Sequence, residues 1–402
     1  MKKTSFWIAL FAGLLIFSAC NKEKETDTET IHVGALLSLT GNWATLGQSS
    51  QSALEIAVED INRQMESNGS RYRFAVDVYD TKMEPSLALE YLQSAKDQGI
   101  RFVIGPQSSS EVAAIKPYAD ANDMFVVSQG STAGSLSLSG DNIFRFCPDD
   151  KLEGKALAKT IYDSGIRGLV TAGLDDVGNI GLINGVTSAF TDLGGTVYTV
   201  AAYASGTSDF TPVITEIENK INTATGQFGA AATAVYIAAF DEGADLFAQA
   251  KNNALLSSVQ WYGGDGITKS NAFVSNTDAA AFAATTHFFA PEFGLPEETA
   301  SLWTPLIEEI KARTGGVEAG AFALACYDAL WTIANTYEAA DVDNLDAASV
   351  RTAFEQEAAR YNGVTGSAAL NENGDRATAI FDYWGIVNEN GTYIWKLAGS
   401  SE

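Results

Sequence analysis

Histidine and cysteine are scarce in this chain of 402 residues, which contains two histidines and three cysteines. His32 begins a predicted strand and His287 lies in an apolar run, where a structural role is commoner than a catalytic one. No CxxC pair or Cys/His cluster suggests a metal site. No P-loop, nucleophile elbow or zinc-type helix motif occurs either. We therefore expect no cofactor, no metal site and no enzymatic activity.

Basic residues are also few, with 25 Lys and Arg against 50 Asp and Glu, which gives a net charge of −25. Such a charge makes nucleic acid an unfavourable partner. A solvated acidic surface is the ordinary interpretation. The charge also weakly favours cationic or zwitterionic ligands over anions.

A long apolar run at the N-terminus resembles a signal peptide. Lys2 and Lys3 form a basic segment, and 6–17 is an apolar stretch that is short for a membrane span. The following Ile16-Phe-Ser-Ala-Cys20 resembles a bacterial lipobox. We expect 1–19 to be a lipoprotein signal peptide, Cys20 the lipidated residue and 20–30 a flexible tether, which places the protein outside the cytoplasm on a membrane. The alternative is ordinary cleavage beside an incidental cysteine.

The rest of the chain alternates strand-like and helix-like segments in two successive series. The first has strands near 31–37, 71–79, 102–104 and 124–127, and the second near 168–172, 196–201, 234–238 and 259–262. Helical periodicity separates the strands in both series. This order predicts an α/β fold of two Rossmann-like lobes with parallel central sheets. Two further strands, near 379–387 and 392–397, close the chain around an Asn-Gly turn.

Two hydroxyl-rich loops follow neighbouring strands of the first series. The first contains Ser109 and leads into a helix for which Ser109 or Ser110 is the expected N-cap, and the second runs from Ser128 through Gly130 and Ser131 to Thr132. Ligands bind at the carboxyl ends of parallel strands, where backbone N–H groups and hydroxyls favour a small anion such as a carboxylate. The alternative is that these side chains only cap helices and form turns.

Two residues of the second series follow strand ends in the same way. Asp265 lies in Gly263-Gly-Asp-Gly266, where its carboxylate is able to accept an ammonium group or to form an Asp-Gly turn. Phe240 is able to cover a cation with its ring or to pack between the lobes.

Taken in order and spacing, these segments resemble the extracytoplasmic solute-binding proteins of the branched-chain amino acid transporter type. The resemblance covers about residues 31–397. It rests on Val33-Gly-Ala-Leu-Leu-Ser-Leu-Thr-Gly41 with Gly47, Gly105-Pro106 with Ser109 and Pro117, Ser128-Gln-Gly-Ser-Thr132, Phe144-Arg145 with Asp150, Gly264-Asp-Gly266, Ala325-Cys-Tyr-Asp-Ala329, and Gly363-Val-Thr-Gly366 with Asn373-Gly-Asp375.

The resemblance implies the type I periplasmic binding fold, in which three crossings join two lobes around a ligand cleft. The crossings are expected near 146–149, 286–291 and 377–381. Lobe 1 then comprises 31–146 and 290–378, and lobe 2 comprises 147–289 and 379–397.

The resemblance also implies roles for individual residues. Ser109 and Thr132, assisted by the backbone of Gly130, are expected to bind a ligand carboxylate, and Ser131 to line the pocket. Asp265 is expected to hold an α-ammonium group under the ring of Phe240.

Two positions depart from the family pattern and concern the side-chain pocket. Val177 and Leu46 stand where amino-acid binders often have an aromatic residue, although Trp43 lies three residues before Leu46. We therefore expect a pocket unlike that of a leucine binder, for an amino acid or similar small carboxylate.

The implied partner is an ABC permease of the branched-chain amino acid type. The alternative function is that of a ligand-sensing lipoprotein that reports to a receptor. A hydrolase of small amides is a third class, which the lack of an activated nucleophile or metal cluster disfavours.

Overall fold

The computed structural model describes residues 28–401. The predicted signal peptide, Cys20 and most of the predicted tether lie outside these residues. Among residues 28–401, no helix combines the length and the apolar composition that crossing a membrane requires.

Lobe 1 is built on a sheet of five parallel strands. The strands are β1 Glu29–Leu37, β2 Tyr72–Asp80, β3 Phe102–Ile104, β4 Phe125–Ser128 and β5 Ile143–Arg145. Their order in the sheet is β2-β1-β3-β4-β5. Strands β3 and β4 are buried along their whole length, which explains why they are continuous apolar runs rather than alternating ones.

Six helices accompany this sheet. They are α1 Ala44–Ser67, α2 Pro85–Asp97, α3 Ser109–Ala121, α10 Ala300–Arg313, α11 Ala321–Ala339 and α12 Ala347–Arg360. Helices α1 and α11 pack against each other on one face, and α2 and α3 cover the other. The first three connect successive parallel strands, as the strand–helix alternation predicts.

Lobe 2 is built on a seven-stranded sheet. Its strands are β6 Gly168–Gly173, β7 Thr196–Thr199, β8 Thr233–Ala238, β9 Gln260–Gly263, β10 Phe289–Phe293, β13 Phe381–Glu389 and β14 Thr392–Ser400. Their order is β14-β13-β10-β9-β8-β6-β7. The strands from β7 to β10 are parallel, whereas β13 and β14 are antiparallel additions at one edge.

The helices of lobe 2 are α4 Asp150–Asp163, α5 Val177–Asp192, α6 Thr211–Phe228, α7 Gly243–Ala250, α8 Asn271–Ser275 and α9 Thr277–Thr285. A two-residue pair, β11 Asn362–Gly363 and β12 Gly366–Ser367, stands apart from both sheets. The predicted α/β architecture of two lobes with parallel central sheets is confirmed. One cluster of buried apolar side chains extends through both lobes.

The second crossing lies later than the sequence predicts. Strand β10 pairs with β9 on one side and with β13 on the other, so it belongs to the sheet of lobe 2. The boundary expected at 289/290 is therefore too early, because the chain leaves that sheet only after Phe293. The next residue, Gly294, donates its backbone N–H to the carbonyl of Ile380 at 2.5 Å, which holds the second and third crossings side by side.

Candidate ligand-binding site

The N-terminus of α3 is capped by Ser108. The Ser108 hydroxyl accepts from the backbone N–H of Glu111, and the Glu111 carboxylate accepts from the backbone N–H of Ser108, each at 3.3 Å. This is a reciprocal capping box. The prediction that Ser109 or Ser110 is the N-cap is wrong, because the helix begins one residue earlier. The hydroxyl of Ser109 is consequently available for other contacts.

The two hydroxyl-rich loops of lobe 1 meet around Ser109. The Ser131 hydroxyl donates to Ser109 Oγ at 3.0 Å, and the backbone N–H of Ala133 donates to the same oxygen at 3.2 Å. Ser109, Ser131 and Thr132 are all buried. They come together because β3 and β4 are adjacent and parallel, so their carboxyl ends open at the same edge of the sheet.

Trp43 and Leu46 lie against Gly130 of the second loop. A Cβ atom on Gly130 would lie 3.2 Å from Trp43 Cη2, 3.4 Å from Leu46 Cδ2 and 2.9 Å from the carbonyl oxygen of Gln107. A side chain at Gly130 therefore has no room. Trp43 is only 4% exposed. It immediately precedes α1, which begins at Ala44.

Lobe 2 meets these residues with Phe240. The ring centroids of Phe240 and Trp43 are 4.6 Å apart, with the ring planes tilted by 34°. On its other side Phe240 adjoins the loop that contains Asp265, because a Cβ atom on Gly266 would lie 2.8 Å from Phe240 Cδ1. Phe240 therefore connects the acid of lobe 2 with the aromatic ring of lobe 1.

Asp265 lies two residues after the end of β9 and is 5% exposed. It lines a cavity of about 20 Å³ between the lobes together with Trp43, Leu46 and Phe322. Burial raises the pKa of the Asp265 carboxyl, while backbone and side-chain hydrogen bonds oppose the rise. The lobes are therefore closely apposed here around a carboxyl group that has lost its hydration.

Val177 occupies a different place from the other predicted site residues. It is the first residue of α5, is 37% exposed and lines an outer groove with Ile180 and Gly181. Its backbone N–H donates across the lobe boundary to Ser110 Oγ at 3.2 Å. The structure therefore does not bring the Val177 side chain into the cavity that Asp265 lines.

Two acidic residues of α4 complete the site, and sequence reasoning did not assign them to it. Asp149 is the N-cap of α4, so Asp150 is free of that role. Burial, followed by the charge of Asp265, raises the pKa of Asp150 to about 8, while Thr132 and Arg145 oppose the rise. The backbone N–H of Asp150 donates to the carbonyl oxygen of Thr132 at 2.9 Å.

Glu153 lies one helical turn after Asp150 and contacts Asp265. Burial, then the charges of Asp265 and Asp150, raise its pKa well above the ordinary value. The three carboxyl groups thus form one buried cluster at the junction of α4 and the loop after β9. In residues 28–401, no group of His, Cys, Asp and Glu side chains has an arrangement that would hold a metal ion.

A family model described as periplasmic binding protein matches residues 30–384, in agreement with this two-lobed architecture. The chain belongs to the periplasmic binding protein family. The resemblance to the branched-chain amino acid type is confirmed by the family model together with the relatives that follow, and the solved structure matches the fold.

Among the curated relatives of this periplasmic binding protein is an uncharacterized protein of Methanocaldococcus jannaschii, which is 28% identical over 98% of this chain and 96% of its own length. A Leu/Ile/Val-binding protein homolog of Brucella melitensis, homolog 3, is 23% identical over 88% of this chain and 90% of its own. The fold matches that of the leucine binding protein LivK from Thermotoga maritima with a TM-score of 0.74 at 21% identity, over 92% of this chain and 99% of that one.

The acids of α4 do carry a recognisable signal in the sequence of this periplasmic binding protein. Asp150 and Glu153 are three residues apart, which places them on one face of a helix that begins directly after the first crossing. A helix at that point has its first turn beside the cleft. Charged side chains on the buried face of such a turn identify candidate ligand contacts.

Proposed function

We propose that this protein is a lipid-anchored extracytoplasmic solute-binding protein of an ABC importer, and that it binds an amino acid or similar small carboxylate between its lobes. The observation that carries the proposal is that Asp265 of lobe 2 lies at the same buried seam as Trp43 and Leu46 of lobe 1. The cavity left at this seam has room for about one water molecule, so the lobes must move apart to admit a ligand. A ligand there contacts both lobes, so its binding energy favours the closed arrangement.

The carboxylate end of the ligand is assigned to lobe 1. Ser109 and Thr132 carry buried hydroxyl groups there, and we assign the backbone of Gly130, in the same loop as Thr132, an assisting role. The Ser131 hydroxyl donates a hydrogen bond to Ser109 Oγ. The Ser109 hydroxyl is therefore able to donate its own hydrogen bond to an anion. Such donors at a strand end and a helix N-terminus suit a small anion.

The ammonium end of the ligand is assigned to lobe 2. Burial removes water from the Asp265 carboxylate and so disfavours its charged form. A cation beside Asp265 stabilises that charge in place of the lost water. The ring of Phe240, which lies next to Gly266, provides an aromatic face for the same ammonium group. Closure brings the two ligand charges to their partners at once, away from water.

The test is titration calorimetry of wild-type protein and of Asp265→Ala with a panel of amino acids and small carboxylates, chosen beforehand by thermal shift. We expect Asp265→Ala to lose about 100-fold or more in affinity for the wild-type ligand, or about 2.7 kcal/mol. Asp192→Ala, on the exposed end of α5, serves as the control and is expected to bind as wild type. Unchanged binding by a folded Asp265→Ala variant would refute the assignment.

The lipid anchor is proposed for Cys20. In cells labelled with a palmitate analogue, wild-type protein is expected to carry the label and to sediment with membranes. Cys20→Ser is expected to lose the label and to be released after cell disruption. Co-purification of the wild-type protein with a membrane permease in the presence of ligand tests the importer assignment.

A further inference from the structure

Two buried cations near the cleft, Arg145 and Lys269, have acidic partners. Arg145 pairs with Asp375 at 2.5 Å, and the two side chains are 1% and 2% exposed. Lys269 pairs with Glu292 at 3.1 Å, and these side chains are 9% and 6% exposed. The positive charges of Arg145 and Lys269 are therefore balanced within these two pairs. Arg376, a third buried cation, donates instead to the carbonyl oxygens of Phe146 and Thr365 and to the Thr365 hydroxyl.

Three carboxyl groups remain without a cation. None of the ion pairs formed within residues 28–401 includes Asp150, Glu153 or Asp265, although each residue is more than nine-tenths buried. In this part of the chain, neither carboxylate oxygen of Asp150 has a hydrogen-bond partner, nor does Oε1 of Glu153. The Thr132 hydroxyl is close enough to oppose the pKa rise of Asp150 but makes no hydrogen bond with either Oδ atom.

The hydroxyl of Tyr236, in β8, is a fourth buried polar group beside the three carboxyl groups. The side chain is fully buried, and its hydroxyl has no hydrogen-bond partner among the described residues. A Cβ atom on Gly264, the residue before Asp265, would lie 2.9 Å from this hydroxyl oxygen. Burial and the charges of Glu153, Asp265 and Asp150 all raise the pKa of Tyr236. The hydroxyl therefore belongs to the surroundings of the acid cluster.

One α-ammonium group cannot provide a partner for all three carboxyl groups of this cluster. Asp265 suffices for the α-ammonium in the proposed function, which leaves two carboxyl groups and a phenol hydroxyl beyond it. Buried polar groups without partners cost about 1–3 kcal/mol each, and charged groups cost more. A second cationic nitrogen would satisfy the remaining groups, because an ammonium has three N–H donors for Asp150, Glu153 and Tyr236.

We propose that the ligand is a diamino carboxylic acid of the ornithine or lysine type, whose side-chain ammonium binds between Asp150, Glu153 and the Tyr236 hydroxyl. This inference rests on the proposed function, since it takes the α-carboxylate and α-ammonium to be bound as described above. It separates this protein from binders of aliphatic amino acids, whose side chains need an apolar pocket at this position.

Binding of a second ammonium group changes the protonation of the carboxyl cluster. Asp150, Glu153 and Asp265 face one another and Tyr236, with Arg145 and Cys147 nearby and the Lys269–Glu292 pair beside Asp265. Burial and mutual repulsion favour protonated carboxyl groups when no cation is bound. Binding of a ligand with two ammonium groups at neutral pH then releases protons from the cluster, and affinity falls as the pH is lowered.

Calorimetry with L-ornithine, L-lysine, L-norleucine and L-leucine tests the inference on wild-type protein. Norleucine is the decisive comparison, because it has the length of lysine's carbon chain and lacks the side-chain ammonium. We expect ornithine or lysine to bind at least about 100-fold more tightly than norleucine. Titrations at pH 7 in two buffers of different ionisation enthalpy are expected to show proton release with the diamino acid.

The variants Glu153→Gln and Asp150→Asn keep the shape of each side chain and remove its charge. Each is expected to lower the affinity for the diamino acid about 10-fold or more. The ratio of this affinity to the affinity for norleucine is expected to decrease as well. Asp192→Asn, an exposed acid of α5, is the matched control. If a variant fails to fold, as judged by circular dichroism, the comparison of lysine with norleucine on wild-type protein decides the question.

The outcomes separate the two proposals. If leucine or norleucine binds wild type as tightly as lysine and ornithine do, the diamino acid assignment is overturned while the amino-acid function stands. If no amino acid or small carboxylate binds wild type, the proposed function itself fails. Preference for a diamino acid that survives in both Glu153→Gln and Asp150→Asn overturns the placement of the second ammonium.

Discussion

The rings of Trp43 and Phe240 face each other across the lobe boundary, with their centroids 4.6 Å apart. Trp43 precedes α1 of lobe 1, and Phe240 follows β8 of lobe 2. Both rings are almost fully buried, so the contact exists only while the lobes are together. The aromatic pair therefore contributes to the free-energy difference between open and closed forms.

Replacing Phe240 with Ala removes this contact and the ring beside Asp265. Aromatic pairs contribute about 0.5–1.5 kcal/mol beyond the area they bury, so we expect a loss of about 10-fold in ligand affinity. Small-angle scattering is expected to show a larger radius of gyration for the unliganded variant, because the closed form is less populated. Phe240→Leu, which restores apolar bulk, is expected to recover part of the loss. Wild-type affinity in Phe240→Ala would contradict a role for this ring in closure.

Asn42 and Glu242 form a second contact between the lobes. Asn42 Nδ2 donates to Glu242 Oε2 at 2.8 Å, and the backbone N–H of Glu242 donates to Asn42 Oδ1 at 3.3 Å. The contact forms as the cleft closes, so Asn42→Ala is expected to raise the ligand dissociation rate about 10-fold with little change in the association rate. Stopped-flow fluorescence measures both rates. Gln51→Ala, which removes a side-chain contact within lobe 1, is the control. An unchanged dissociation rate would show that the contact does not hold the cleft closed.

The raised pKa of Asp150 is expected to make the free energy of unfolding depend on pH. Its pKa in the folded protein is about 8, above the ordinary value of 3.8, because burial and the charge of Asp265 disfavour the carboxylate. The folded state therefore binds the proton more tightly than the unfolded state. The stabilising contribution is complete below pH 4 and is lost as the pH rises to 8.

Asp150→Asn removes this titration. Relative to the variant, unliganded wild-type protein is expected to lose roughly 3.6 kcal/mol of stability between pH 5 and pH 8, because the loss is 1.36 kcal/mol for each pH unit and levels off near pH 8. Scanning calorimetry across this range measures the difference in Tm. A difference between the two proteins that stays constant with pH would show that Asp150 does not titrate as described.

The buried pair of Arg145 and Asp375 predicts a large effect on stability. Asp375→Asn leaves the guanidinium of Arg145 without its charge partner, which typically costs about 3–5 kcal/mol in a buried site. We expect a clearly lower Tm in scanning calorimetry. Glu389→Ala removes the partner of Lys396 in an exposed pair and is expected to change stability by less than about 1 kcal/mol. Similar shifts in the two variants would contradict the distinction between buried and exposed pairs.

Much of the fold can be predicted from the sequence because strand and helix periodicity are local properties. The two closing strands, expected near 379–387 and 392–397, are observed as β13 and β14. The errors lie where tertiary contacts decide. Strand β10 joins the sheet of lobe 2 because β9 and β13 both pair with it, and no local pattern in 286–291 encodes those partners.

The same division applies to the site. The sequence predicts the hydroxyl loops, Phe240 and Asp265 as candidate site residues because each follows a strand end, and parallel strands bring their carboxyl ends to one edge. The burial of Trp43 and the exposure of Val177 depend on where α1 and α5 begin, and sequence patterns locate helix ends poorly.

The sequence by itself determined the two α/β lobes and the chemistry available at their facing edges. Only the tertiary structure decided that Glu153 and Asp265, more than a hundred residues apart, share one buried space. The physical reason is that periodicity reflects the neighbours along the chain, whereas the burial and mutual repulsion of carboxyl groups depend on which elements the packed lobes bring together.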